Sequence, residues 1–434
     1  MSNETIGLLG FVALLLAILA RLPIAMALLL VGLGGYAAMD GWRLAILTLG
    51  GVPFELAQGY SLSVVPLFIL MGAVASRAGM SRELYQASHA VFSGRGALAN
   101  ATIGACALFG AVCGSSLATA ATMARVAVPE MRHFGYSATL AAGSVASGGT
   151  LGILIPPSVI LVLYAIIAEA SVPELFAAAL LPGILLALLH IVVVKGWVWL
   201  QPSVAPPAGD AMAWSARLRA VLGMWKLAVL FLLAVGGIYL GWFSPTEAAA
   251  VGAFGAIVIA LLTRTLDWHG LWGALDETIR TTAMLFFVLV GAFLFARFVV
   301  ITRLPMTLTE TVLGWDLPDL GVLLLMVGFY VILGCFLETV SMILITVPVF
   351  LPLILEMGLS PVWFGVLVVV VAEVGLITPP VGLNIFVIRN QLPNLPLSVL
   401  FRGVLPFLLA DAVLIVLLLA LPGVALWLPG WLYR

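Results

Sequence analysis

The chain has 434 residues, 64% of them hydrophobic and only 9% charged, with a formal net charge of −1. An ordinary soluble chain carries about 25% charged residues, and the mean hydropathy here is +1.25. Apolar stretches of membrane-spanning length recur from end to end, which excludes a string of soluble domains and predicts an all-α polytopic membrane protein, while the near-neutral charge gives no footing for nucleic acid.

In chain order, a first span is expected over about 5–20, ending at Arg21-Leu22-Pro23. It lacks the basic flank and small-residue cleavage site of a signal peptide, so it reads as a retained span. A second span covers about 24–39. Residues 42–60, with Trp42, Arg43, Glu55 and Gln58, suit a segment lying at the interface. A third span covers about 63–76, and Arg77, Arg82, Glu83, Gln86 and His89 mark an amphipathic connector.

Two interrupted elements follow. Gly114-Ser115-Ser116 breaks one apolar run, and Gly148-Gly149 with Pro156-Pro157 breaks the next. In hydrocarbon an unwound backbone costs several kcal/mol per orphaned group unless protein, water or a ligand satisfies it. Paired breaks at mid-depth are how secondary transporters build ion and substrate sites. A span over about 176–194 then ends in Lys195, Trp197 and Trp199, an interfacial signature.

Residues 200–225 form the one soluble-looking linker, with Pro202, Pro206, Pro207, Gly209 and Asp210 followed by Arg217 and Arg219. Its basic residues predict a cytoplasmic location. Beyond it come spans near 227–241 and 245–262, an amphipathic connector over 267–280, a span over 281–300, two more interrupted elements and a last span over about 398–420.

The architecture therefore repeats. Pro156 and Pro379, Gly152 and Gly375, Pro129 and Pro352, and Pro173 and Pro396 are each 223 positions apart. Proline and glycine positions are fixed by backbone geometry, so a shared offset marks duplicated architecture. The reading is a first repeat over 1–199, with a hairpin at about 97–130 and a broken helix at about 136–170. A second repeat covers 226–434, with a hairpin at about 320–356 and a broken helix at about 361–391. The repeats are expected to be inverted.

The segments GSSLATAATMARVAVPEM, FGYSATLAAGSVASGGTLGILIPPSVILVLYA, GCFLETVSMILITVPVFLPL and VGLITPPVGLNIFV resemble, in order and spacing, the large membrane subunit of tripartite ATP-independent periplasmic (TRAP) transporters. The resemblance spans nearly the whole chain. It implies a sodium-driven, elevator-type importer in a bacterial or archaeal inner membrane, with two re-entrant hairpins and two broken helices in the moving part. It also implies two protein partners: a small four-helix membrane subunit and a periplasmic substrate-binding protein. The chain departs from the family pattern at Ala124-Arg125, at Glu338 and at Arg389-Asn390.

Sodium is a hard cation that takes oxygen ligands. A first site is expected from Ser115, Ser116 and Thr119 with the backbone of Gly148, Gly149 and Thr150. A second is expected from Glu338, Thr339 and Ser341 with Gly375, Thr378 and Pro379, since proline leaves an upstream carbonyl without its helical donor. Sodium is the coupling ion, and no further cofactor is expected. A small organic anion such as a dicarboxylate or sugar acid is expected between the tips, where half-helix N-termini favour negative charge. Its candidate contacts are Ser115, Thr378, Asn384, Arg125 and Arg389.

Each position also has a plainer reading. Membrane Ser and Thr often bond back to the i−4 carbonyl, Glu338 is placed to cap a helix, and Arg125 and Arg389 are long enough to snorkel or to pair with Glu130 or a lipid phosphate. Cys106, Cys113 and Cys335 read as small buried packing residues. An intramembrane enzyme is disfavoured because His89, His133, His190 and His269 are scattered, with no HExxH. No GxxxxGK[ST] is present, so ATP does not drive the cycle. The competing readings are a stand-alone sodium/anion symporter and, further off, a channel.

Overall fold

A computed structural model describes residues 2–207 and 213–433, and these residues form helices without a strand. Gly209 and Asp210 of the linker lie outside the described residues. Helix α1 (Asn3–Leu19) is capped by Ser2, whose hydroxyl accepts from the Thr5 amide. Helix α2 (Ile24–Asp40) ends at Gly41, and α3 (Trp42–Gln58) buries only Ala45, Val52 and Leu56. A short 3-10 turn over Tyr60–Ser63 leads into α4 (Val64–Arg77), and Gly79 turns the chain into α5 (Met80–Val91).

Helices α6 (Ala97–Cys113) and α7 (Ser116–His133) are joined by two residues and pack on one another. Helix α8 (Ala138–Leu154) and α9 (Val159–Ile167) meet at a 45° bend, followed by α10 (Val172–Leu200). Beyond the linker, α11 (Trp214–Gly223) leads to α12 (Trp225–Phe231), which continues through a π turn into α13 (Gly237–Tyr239). Helix α14 (Pro245–Leu262) opens with a full capping box, Ser244 and Glu247 satisfying each other's amides.

Helix α15 (Trp268–Ile301) runs unbroken for 34 residues, so the expected connector at 267–280 and the span after it are one helix. No proline falls between residues 268 and 301 to end it. Then come α16 (Leu304–Leu313), the pair α17 (Asp319–Gly334) and α18 (Thr339–Glu356), and the pair α19 (Pro361–Ile377) and α20 (Leu383–Gln391). Helix α21 (Leu397–Ala420) is followed by α22 (Gly423–Leu432), a helix beyond the last expected span. Among the described residues, six helices are long and apolar enough to cross a membrane, and up to eight if each bent pair is one span.

Packing between the halves is reciprocal. Helix α2 packs on α15 while α4 packs on α14. Likewise α7 packs on α20 and α9 on α18, and α10 packs on α19 while α8 packs on α21. Within each half, small residues let α6 approach α8 and α17 approach α19 closely, the usual way membrane helices gain van der Waals contact. Gly110 lies against Gly152, and Gly334 against Gly375, so closely that a Cβ on Gly110 or Gly375 would overlap its neighbour's backbone.

The same geometry corrects one expectation. Gly148 and Gly149 do not break α8, which continues to Leu154; the break is at Ile155–Ser158. A Cβ on Gly148 would lie 2.9 Å from Cys106 Sγ, and one on Gly149 would lie 3.0 Å from Ala120 Cβ. These glycines admit α6 and α7 rather than free backbone groups.

Candidate functional site

The first tip forms because Gly114 takes a left-handed conformation, φ 64°, that ends α6. Ser115 is extended and its hydroxyl accepts from the Ala118 amide at 3.3 Å, capping α7. This tip sits on the first break: a Cβ on Gly114 would come within 3.2 Å of the Pro157 carbonyl oxygen. Ser158 in turn caps α9, accepting from the Leu161 amide.

The second tip has a different chemistry. Glu338 occupies the position before α18, yet its carboxylate makes no capping hydrogen bond. Cys335 Sγ donates to the Pro379 carbonyl at 3.4 Å, seating this tip on the second break. The Thr378 hydroxyl donates back to the Val374 carbonyl at 2.6 Å, and Gly382, φ 65°, turns the chain into α20.

Both tips open onto one cavity of about 90 Å³, lined by Gly114, Ser115, Ser116, Glu338 and Thr339 and closed by Thr281 and Met284 of α15. The first turns of α7, α9 and α18 all reach this cavity. Their unpaired amides carry partial positive charge, a ready-made anion environment. A larger cavity of about 450 Å³ shares Cys113, Ser115 and Thr281 with the first and extends past Thr122 to Arg125. Its far wall holds Arg77 and Glu277, paired at 3.1 Å. Arg125 makes no salt bridge among the described residues, with Glu130 or otherwise.

The remaining expected residues fall into distinct surroundings. Thr119 is buried one turn along α7 with its hydroxyl unpartnered, facing Gly152. Thr150 bonds back to the Ser147 carbonyl at 2.6 Å, inside an intact helix together with Gly148 and Gly149. Ser341 is buried in the first turn of α18, and Gly375 packs on Gly334. Asn384 is wholly buried, and both ends of its amide lack a partner. Arg389 is tied to the Leu395 carbonyl at the end of α20, outside the lining of both cavities.

Two buried acids stand outside the sequence reading. Glu373 on α19 is 3% exposed, and its Oε1 accepts from the Thr339 hydroxyl at 2.8 Å. Asp411 on α21 pairs with His190 on α10 at 3.0 Å, both side chains buried. The available signal for Glu373 was plain: one carboxylate in an apolar helix of 17 residues, where an acid is a functional candidate by default.

Comparison with known proteins places this geometry. The family described as "Tripartite ATP-independent periplasmic transporter, DctM component" matches residues 11–424. The C4-dicarboxylate TRAP transporter large permease protein DctM of Pseudomonas aeruginosa is 38% identical over 381 residues, covering 87% of this chain and 88% of that protein. The sialic acid TRAP transporter large permease protein SiaM of Vibrio cholerae is 31% identical, covering 88% of each. In fold, the crystal structure of the Alcanivorax borkumensis YdaH transporter is similar, with a TM-score of 0.60 at 18% identity, over 91% of this chain and 89% of that one. The chain thus belongs to the DctM family of TRAP transporter large membrane subunits, multi-pass transport proteins of the bacterial inner membrane and not enzymes.

Proposed function

We propose that this chain imports a small organic anion by sodium-coupled secondary transport, with two inverted repeats cooperating in an elevator motion. The observation that carries the reading is the convergence of both tips, with three helix N-termini, on a single cavity. Those N-termini favour a carboxylate, in keeping with the dicarboxylate and sialic acid for which two relatives are named.

Volume supports a division of roles. A water needs about 10–15 Å³ of such space, so about 90 Å³ holds ions or a few waters but not a sugar acid. The adjoining 450 Å³ has room for the body of the cargo, with Ser115 at one end and Arg125 at the other. Arg125 presents a fork suited to a second carboxylate.

The residues fit sodium. Buried oxygens without a protein partner, at Thr119, Asn384 and Glu373, are hard donors of the kind that cation takes. Ser115, Ser116 and Thr119 would hold one ion; Glu338, Thr339, Ser341, Gly375, Thr378 and the Pro379 carbonyl would hold another. A bound cation also offsets Glu338, whose charge otherwise opposes an anion in the same cavity. The helices built on α2, α4, α14 and α15 serve as the scaffold against which the tip-bearing helices move. A periplasmic binding protein delivers the cargo, and a small four-helix membrane subunit completes the transporter.

The test is uptake into proteoliposomes holding this chain and its small membrane partner, with cargo-loaded binding protein and a sodium or a potassium gradient. Uptake that requires both sodium and the binding protein is expected. Sodium-driven uptake without binding protein would favour a stand-alone symporter, and uptake indifferent to sodium would overturn the ion sites.

A further inference from the structure

We infer that Glu373 is the charged ligand of a cation site that ties the two hairpin tips together. The inference rests on the sodium-coupled reading above and adds to it a residue from neither tip.

Glu373 lies on α19, five residues before Thr378 and the second break. Its Oε1 accepts from Thr339, the first residue of α18. Thr339 lines the same cavity as Ser116, the first residue of α7. Glu373 therefore stands directly behind the place where the two return helices begin and the hairpins face each other. Its second oxygen, Oε2, is buried and has no hydrogen-bond partner.

No protein cation neutralises it. Glu373 takes part in none of the salt bridges among the described residues, and the charged groups facing it are Glu338 and Asp411, both acids. An ionised buried carboxylate with one oxygen unmet is strongly disfavoured unless it takes up a proton or a counter-charge. Donors within reach are hydroxyls and carboxylates, not imidazole or thiolate, and no cluster of three His, Cys, Asp or Glu suited to a transition metal occurs among the described residues. Such an oxygen set selects a hard cation over zinc or iron, and sodium is the hard cation of the reading above.

The consequence is mechanical. Ser116 and Thr339 belong to separate hairpins and line one cavity, so a cation held there by Glu373 behind Thr339 would set the spacing of the two tips. Tip closure and cation affinity are then one equilibrium, and Glu373 sets its strength.

The experiment uses the full chain with its small membrane partner and reads two quantities: the melting temperature in sodium chloride against choline chloride, and the half-saturating sodium for uptake. Wild type is expected to gain stability in sodium. Glu373→Gln, matched in shape, is expected to match or exceed wild type in choline, to lose most of the sodium-induced Tm rise, and to need at least tenfold more sodium. Glu373→Asp is expected to fall between. If the Gln variant fails to assemble, Glu373→Asp decides the matter, since it keeps the charge and only withdraws the carboxylate from the site; a wild-type sodium response in both readouts would overturn the assignment. A Gln variant with wild-type sodium response, or one altered only in the pH profile at fixed sodium, overturns the assignment while leaving sodium coupling intact. A wild type that responds to sodium in neither readout overturns the functional reading itself.

Discussion

The two halves of this chain share a plan but not a chemistry. At the first tip Ser115 caps α7 with its own hydroxyl, and no charge is present. At the second, Glu338 holds the equivalent place without capping anything, and Glu373 lies buried behind it. The first break is closed by the Ser158 cap, the second by the left-handed Gly382. The scaffolds differ too. The 3-10 turn after Gly59 separates α3 from α4, whereas α15 runs straight through. The cavity has neutral donors, Ser115 and Ser116, on the first tip's side and the acid Glu338 on the second's. That division suits a site taking an anion and a cation together.

The largest effects are expected where the halves are alike. Gly152→Leu and Gly375→Leu each push a side chain into the backbone of a neighbouring helix. Each is expected to cost about 3 kcal/mol and to abolish uptake, seen as loss of a monodisperse complex in size-exclusion chromatography. If only one variant fails, the two glycine contacts are not equivalent.

Next come the tips, where the halves differ. Glu338→Gln is expected to raise the half-saturating sodium about tenfold, equivalent to about 1.4 kcal/mol, with little change in stability. Ser115→Ala removes a cap worth about 1 kcal/mol and, because Ser115 serves both the first ion and the cargo, is expected to raise cargo KM and sodium requirement together. A Ser115→Ala variant altered in neither parameter in transport assays would remove the first tip from the site.

Arg125→Gln is expected to raise cargo KM about tenfold, as loss of a charged hydrogen bond of about 1.5 kcal/mol implies, with the sodium requirement unchanged. Arg389→Gln is expected to change either parameter less than about twofold, because Arg389 is engaged with the Leu395 carbonyl and lies outside the lining of both cavities. An effect of Arg389→Gln larger than that of Arg125→Gln in the same uptake assay would relocate the cargo.

Much of this plan was legible in the residues. Proline pairs at 156–157 and 379–380 announce both breaks, because proline cannot continue the helical hydrogen-bond ladder. Glycine is more ambiguous: in a membrane helix it marks either a break or a close approach. Gly114 is the first kind, Gly148 and Gly149 the second, and only neighbours such as Cys106 and Ala120 tell them apart. The connector expected over 267–280 is instead the start of a continuous helix, on which Asp276 pairs with Arg280 and Glu277 with Arg77. The convergence of the tips and the position of Glu373 depend on contacts between residues hundreds apart, which no local pattern encodes.

The most direct test is the affinity of the purified complex for its cargo, measured by calorimetry across sodium concentrations. If one cavity couples both ligands, cargo affinity rises with sodium, and sodium affinity rises with cargo by the same factor, as linkage requires. Cargo binding that is equal in sodium and in choline would contradict a shared site at the meeting of the two tips.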